Sequence, residues 1–200
     1  MTNSFGVTYD YRCPFARIAN DHIVTALRAG ADWDVDFIPF SLSQIHTEEG
    51  EPPVWEDRAK ASDLLALRAS LIVTDSFPEK FLDAHEALFN ARHDESKDLR
   101  SRQVIVEVLN RVGIDGEGVG ALLDEGAMLE ELRKRHESVV DSHQVWGVPT
   151  FISGEHAAFA RLMKRPEGDA EAARATIERI IDLVSTHPEV NELKHTTVPF

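Results

Sequence analysis

Residues 9–20 read YDYRCPFARIAN and hold the only cysteine of the chain, Cys13, directly before Pro14. Just upstream, FGVTYD at 5–10 begins apolar and β-favouring and ends polar, which predicts a short strand. Downstream, Ile18, Ala19, Ile23, Ala26 and Leu27 recur at spacings of three and four, while Arg17, Asn20, Asp21 and Arg28 take the other face. That pattern predicts an amphipathic helix from Pro14 to Ala29, ended by Gly30. Cys13 is then the N-cap, and Pro14 occupies the first helical position, where a missing N–H does no harm. A thiol at such a strand-to-helix junction is either a working nucleophile or a small buried hydrophobe.

Working outward, Asp32–Phe37 (DWDVDF) alternates, which predicts a strand with one wet face, and Ile38, Pro39 and Phe40 carry it into a buried or edge position. The first forty residues thus read as a β-α-β unit. TEEGEPP at 47–53 is a polar loop. From Val54 to about His143 the pattern is helical, with segments centred on Leu64–Ile72, Phe81–Phe89, Leu99–Leu109, a short piece at Leu122 and Leu123, and Met128–Val140. GIDGEG at 113–118 misses the dinucleotide-binding spacing and reads as an interhelical turn. β character returns at Val148–Ile152, followed by a tight turn at Ser153-Gly154-Glu155, a returning strand at His156–Phe159, a helix over Ala170–Val184 and an irregular tail from His187 to Phe200. The order β-α-β, helices, β-β-α predicts an α/β chain: a thioredoxin-like fold with a large all-helical insertion. Residues 1–50 and 144–200 form the thioredoxin-like domain in this reading, and 51–143 the helical insertion domain.

Lys and Arg number 21 against 35 Asp and Glu, a net charge of −14, which argues against a nucleic-acid or anionic-membrane partner. The start Met1-Thr2-Asn3-Ser4 lacks a basic, apolar leader, no run approaches membrane-spanning length, and one cysteine cannot form an internal disulfide. The expected location is cytoplasmic. The nine histidines contain no metal-binding spacing and one thiol cannot build a thiolate-rich site, so no metal is expected; no nucleotide motif is found.

Cys13-Pro14-Phe15-Ala16, between the first strand and first helix, resembles the active-site motif of the DsbA-like thioredoxin superfamily. Gly147-Val148-Pro149-Thr150-Phe151 matches that family's second element, a cis proline before a strand that faces the active site. FARLMKRP at 159–166, with His187-Pro188 and Glu192-Leu193-Lys194, is similar to the actinobacterial, mycothiol-dependent branch. The resemblance covers nearly the whole chain. It implies that Val148, before the cis proline, pairs through its backbone with a bound thiol. The chain departs from the redox members at Ala16, where Cys-x-x-Cys has its resolving thiol, so an internal disulfide cycle is ruled out.

Independently of the family, a thiol at a helix start feels unpaired N–H groups and the dipole, and Arg12 and Arg17 lie beside it in sequence. Such sites lower a thiol pKa from about 8.5 into about 3.5–7.5, so Cys13 is expected to be the catalytic thiolate. Pro14, Phe15, Val148, Pro149 and Thr150 are expected around the bound thiol, with Ser41 and His46 on the loop after the second strand. Arg161, with Lys164 and Arg165, suits a carboxylate or a sugar-bearing thiol. His143 and Trp146 precede the proline loop, and Trp146 is expected in the core.

Three readings follow. In the first, Cys13 attacks a disulfide or an oxidised small-thiol adduct, and a low-molecular-weight thiol resolves the mixed disulfide; reduced Cys13 could also assist electron transfer to a small electrophile; the resemblance implies mycothiol, with glutathione as the other co-substrate. In the second, Cys13 holds a thiol cofactor, as in kappa-class glutathione transferases and 2-hydroxychromene-2-carboxylate isomerases. The third is a non-catalytic binding protein. The helical region's apolar residues suggest a homodimer.

Overall fold

The computed structural model describes residues 4–198, so the leader reading on Met1–Asn3 and the last two residues of the tail lie outside the described residues. Four strands form one mixed sheet in the order β2-β1-β3-β4. Strand β1 (Ser4–Tyr9) runs parallel to β2 (Asp34–Pro39), with Ser4 opposite Asp34 and Tyr9 opposite Pro39. Strand β3 (Thr150–Ser153) is antiparallel to β1 and to β4 (His156–Phe159). Helix α1 (Pro14–Arg28) makes the crossover from β1 to β2, and Gly30 at φ 90° leaves it in the left-handed conformation that glycine adopts most readily.

The alternation of β1 decides which face meets which layer. Phe5 and Val7 pack with Phe151, with Ala19 and Ile23 of α1, and with Ile177 and Ile181 of α8 (Ala170–Thr186). Gly6 points the other way, where a Cβ would come within 3.0 Å of Ile38 and 3.5 Å of Ile152. That second face is continuous with the helices inserted between β2 and β3: α2 (Leu42–Ile45), α3 (Leu65–Ser76), α4 (Phe81–His93), α5 (Arg102–Arg111), α6 (Gly116–Asp124) and α7 (Leu129–His143). Tyr9, Ile38, Phe40 and Ile152 share one core with Leu67, Ile72, Phe89, Ile105 and Leu132. Most of the apolar residues on which the homodimer expectation rested pack within the chain, while Leu122 stays 39% exposed. Arg68 is buried on this face and, among the described residues, makes no salt bridge; its guanidinium donates to the carbonyls of Leu123 and Ala127 (both 2.8 Å), serving the C-terminal end of α6.

The structure corrects the reading of 113–118 as a turn. Only 113–115 connects helices; Gly116 opens α6, capped by Asp115, whose carboxylate accepts from the Gly118 N–H (3.0 Å). Glycine at 116 is demanded by α5: a Cβ there would stand 2.4 Å from the Val106 carbonyl oxygen. Gly116→Ala is therefore expected to destabilise the protein by about 1–3 kcal/mol in urea unfolding, overpacking outweighing alanine's better helix propensity. A variant as stable as the parent would contradict this packing. Three short pieces escaped the sequence reading: α2 and the 3-10 turns over Arg58–Leu64 and Pro78–Lys80. Among the described residues no helix is long and apolar enough to cross a membrane, and no group of three or more metal-ligating side chains occurs.

Candidate active site

Cys13 caps α1 from an extended conformation (φ −87°, ψ 118°), with Pro14 exposed at the first helical position. Its sulfur accepts a hydrogen bond from the Ala16 N–H at 3.4 Å. The thiol also donates to the Val148 carbonyl at 3.5 Å. The Val148–Pro149 peptide is cis. Thr150 is hydrogen-bonded into this loop and to β1. Its N–H donates to Thr8 Oγ1 (2.9 Å), while both hydroxyls donate to the Gly147 carbonyl, from Thr150 at 2.8 Å and from Thr8 at 3.3 Å. Thr150 thus positions residues 147–149.

The segment after β4 folds back over α1. Arg165 pairs with Asp21, and the Lys164 carbonyl accepts from His22 Nε2–H at 3.0 Å. This brings the exposed Arg161 over the half-buried Phe15, guanidinium carbon 5.0 Å from the ring centre. Cys13, Phe15, Val148 and Arg161 therefore meet at the start of α1. Trp146 corrects the core expectation: it is 63% exposed and packs on Phe159 with the rings tilted by 37° and centroids 4.6 Å apart, on the loop that leads to Pro149.

Burial pushes the Cys13 thiol above its ordinary value; the Ala16 and Phe15 amides and the Arg161 charge pull it down, and Asp10 adds to the rise. The expectation of a thiolate held by Arg12 and Arg17 is not met, because both are engaged elsewhere. Arg12 pairs with Asp10 (3.0 Å) and approaches Asp63 (3.7 Å). Arg17 pairs with Asp94 and donates to Asn90 (3.2 Å). Arg161, over Phe15 next in the turn, exerts a weaker downward pull on the thiol than the Ala16 and Phe15 amides.

Ser41 and His46 are not drawn into this group. Ser41 is fully buried and caps α2, its hydroxyl accepting from the Gln44 N–H (3.3 Å) and its own N–H donating to His136 Nδ1 (3.2 Å). His46 is exposed at the other end of α2. His143 donates through Nε2 to the Gly154 carbonyl (3.1 Å), which fastens α7 to the β3–β4 turn.

Asp10, which the sequence reading passed over, is 2% exposed. Its carboxylate accepts from the Arg12 N–H (2.9 Å) and the Leu42 N–H (3.0 Å), and its carbonyl accepts from the Cys13 N–H (3.0 Å). An aspartate two residues before such an N–H is a recognisable turn signal. A cleft of about 390 Å³ opens against residues 10–12, lined also by Leu67, Arg92, Leu99 and Arg100.

The family model for the DSBA-like thioredoxin domain matches residues 7–164. No curated protein matches the chain in sequence. Solved structures similar to it include a 2-hydroxychromene-2-carboxylate isomerase (TM-score 0.61, 15% identity, covering 90% of this chain and 96% of that one). The cytosolic disulfide reductase DsbM from Pseudomonas aeruginosa, solved with GSH, gives 0.59 at 16% identity over 90% and 100% of the two chains. Oxidised BdbD from Bacillus subtilis gives 0.59 at 18% identity over 90% and 87%. At these identities the likeness is one of fold.

Proposed function

The chain belongs to the DSBA-like thioredoxin family, and from that membership we propose that it is a monothiol oxidoreductase working through Cys13. The ionised sulfur attacks a mixed disulfide R′S–SR, forming Cys13–S–SR and expelling R′S⁻, which takes up a proton. A second molecule of the small thiol RSH then attacks the SR sulfur, releasing RSSR and returning Cys13. The net exchange reduces R′S–SR to R′SH at the expense of RSH, with no second protein thiol. RSH is mycothiol, with glutathione as the other candidate. The observation that carries this reading is the placement of the sole thiol at the start of α1, hydrogen-bonded to Val148 of the cis-proline loop and accompanied by Arg161.

The residues around it take these roles: Val148 offers its carbonyl to the bound thiol, Pro149 and Thr150 shape the loop, Pro14 and Phe15 form the rim, and Arg161 takes a carboxylate or sugar of the co-substrate. Ser41 contributes through the frame behind residue 10, next to Leu42, whose N–H holds the Asp10 carboxylate, while His46 lies exposed at the far end of α2. Residues 1–50 with 144–200 carry the chemistry and 51–143 close one side, in the cytoplasm. Arg161→Leu is expected to raise KM for the thiol roughly tenfold or more while kcat changes little, as a charge-assisted hydrogen bond is lost from binding. Unchanged KM would remove Arg161 from the site. The assay is steady-state reduction of a small mixed disulfide by mycothiol or by glutathione; absence of thiol-dependent turnover with both would overturn the reading.

One observation favours the second reading. A thiol pushed upward by burial holds its hydrogen more firmly and can donate it to a bound thiolate, which suits a thiol-dependent transferase or isomerase. The same upward push makes the Cys13 anion a stronger nucleophile once formed, which suits exchange.

A further inference from the structure

Behind the thiol, helix α4 sends one imidazole into the core. His85 is 1% exposed and ringed by Tyr9, Tyr11, Phe37, Phe81 and Phe89, with centroids 4.6 to 5.4 Å away. Burial pushes it down to about 3, so it is neutral. Its two nitrogens have assigned roles. Asn20 uses its amide N–H to donate to the Ala16 carbonyl (2.7 Å), leaving Asn20 Oδ1 to accept from His85 Nε2–H (2.9 Å). His85 Nδ1 is then the acceptor, and the Tyr11 hydroxyl donates to it (2.9 Å). At the end of the same helix His93 Nε2–H donates to the Tyr11 carbonyl (2.9 Å).

A buried polar chain with every hydrogen bond made specifies one arrangement, since any shift strands a donor or acceptor. This chain grips the thiol from both sides: Tyr11 is two residues before Cys13, and Ala16 supplies the N–H that reaches the sulfur. We propose that His85 is a positioning residue for Cys13: through Asn20 and Tyr11 it locks the first turn of α1 so that the Ala16 N–H stays aimed at the sulfur. The consequence is chemical as well as structural. Among the groups that offset burial at the thiol, the Ala16 amide is the largest. A first turn free to rock loses the hydrogen bond that stabilises the anion. The charged groups acting on the sulfur itself are Asp10 and Arg161, and neither belongs to the chain through His85.

The proposal concerns the thiol's ionisation and rests on the identification of Cys13 as the reactive group. It is tested without any substrate, by the pH dependence of iodoacetamide alkylation, in which the chain's one cysteine is the only thiol read. His85→Phe keeps an aromatic ring in the cage and removes both hydrogen bonds; Asn20→Ala cuts the link to Ala16 alone. Ser70→Ala is the control: it removes the Tyr9–Ser70 hydrogen bond (2.8 Å) and the Ser70 contact with the Tyr11 hydroxyl in the same core, and leaves the Tyr11–His85, His85–Asn20 and Asn20–Ala16 hydrogen bonds in place. Expected are an upward shift of the alkylation midpoint by about half a unit or more in both relay variants, and a midpoint within about 0.1 unit of the parent in Ser70→Ala. Relay variants that lose thermal stability as Ser70→Ala does, with the parent's midpoint, would overturn the proposal. Should His85→Phe fail to fold, Asn20→Ala carries the same two outcomes. Loss of disulfide-exchange turnover in the parent would overturn the proposed function and leave this result standing.

Discussion

Cys13→Ser is expected to abolish thiol exchange, with turnover falling at least about a thousandfold, and to leave the fold and thermal stability unchanged. The two halves of this expectation have separate causes. The serine hydroxyl has no accessible anion near neutral pH and forms no disulfide, so both steps of the exchange lose their bond-forming atom. As a helix cap, however, serine is among the preferred residues, and its oxygen takes the Ala16 N–H that the sulfur now holds. The variant therefore separates chemistry from structure. It also separates the two enzymatic readings: a serine that retains thiol-dependent transferase or isomerase activity selects the second, because that chemistry needs a hydrogen-bond donor beside the cofactor thiol and does not consume Cys13. Exchange activity surviving in Cys13→Ser would contradict the proposed mechanism.

The largest expected loss of stability is at Phe89. Its side chain is 1% exposed and lies edge-on to Tyr11 (4.7 Å) and His85 (5.0 Å), with Tyr9 at 6.4 Å. Phe89→Ala removes the ring from the junction of α4 with the β1–α1 loop. About 3–5 kcal/mol is expected, from lost transfer free energy plus the cavity left among rings that cannot collapse into it. Against a typical stability of about 5–15 kcal/mol this is a large fraction, and the thermal midpoint is expected to fall by roughly 10 °C or more. Urea unfolding followed by far-UV circular dichroism measures it. A loss under about 1 kcal/mol would mean that this aromatic cluster is not the fold's rigid centre.

Much of this architecture was legible because local rules and tertiary packing agree. Pro14 at the first helical position and Gly30 after the last turn bracket α1 whatever the rest of the chain does. The DVDF alternation places Asp34 and Asp36 in water and the residues between them against the sheet's neighbours. At GIDGEG the local rule and the packing conflict. Glycines advertise a turn, whereas Gly116 is there because α5 runs too close for any side chain. The site was legible at the residues whose position follows from the backbone: Cys13 and Val148 meet because a strand end and a loop end meet.

What was not legible depends on where long side chains reach. Arg12 and Arg17 flank the thiol in sequence, yet Asp10 takes the first and Asp94, across the chain on α4's end, takes the second. Arg161 is far away in sequence, yet the fold sets it over Phe15, beside the thiol's own turn, where its charge pulls weakly on the sulfur. Trp146 was misplaced because large aromatics are generally buried, and only the fold reveals that the proline loop presents it outward. The His85 relay joins residues 74 and 65 positions apart, which no periodicity encodes.

Intact-protein mass spectrometry bears most directly on the role of Cys13. The folded protein is incubated at pH 9, where more of the thiol is ionised, with oxidised mycothiol and, separately, oxidised glutathione. A gain of one thiol's mass with at least one of them, reversed by the corresponding free thiol and missing in Cys13→Ser, is the predicted result. A folded protein whose mass stays unchanged with both disulfides, while the same chain unfolded in urea takes up the adduct, would show that the fold shields this sulfur rather than employing it.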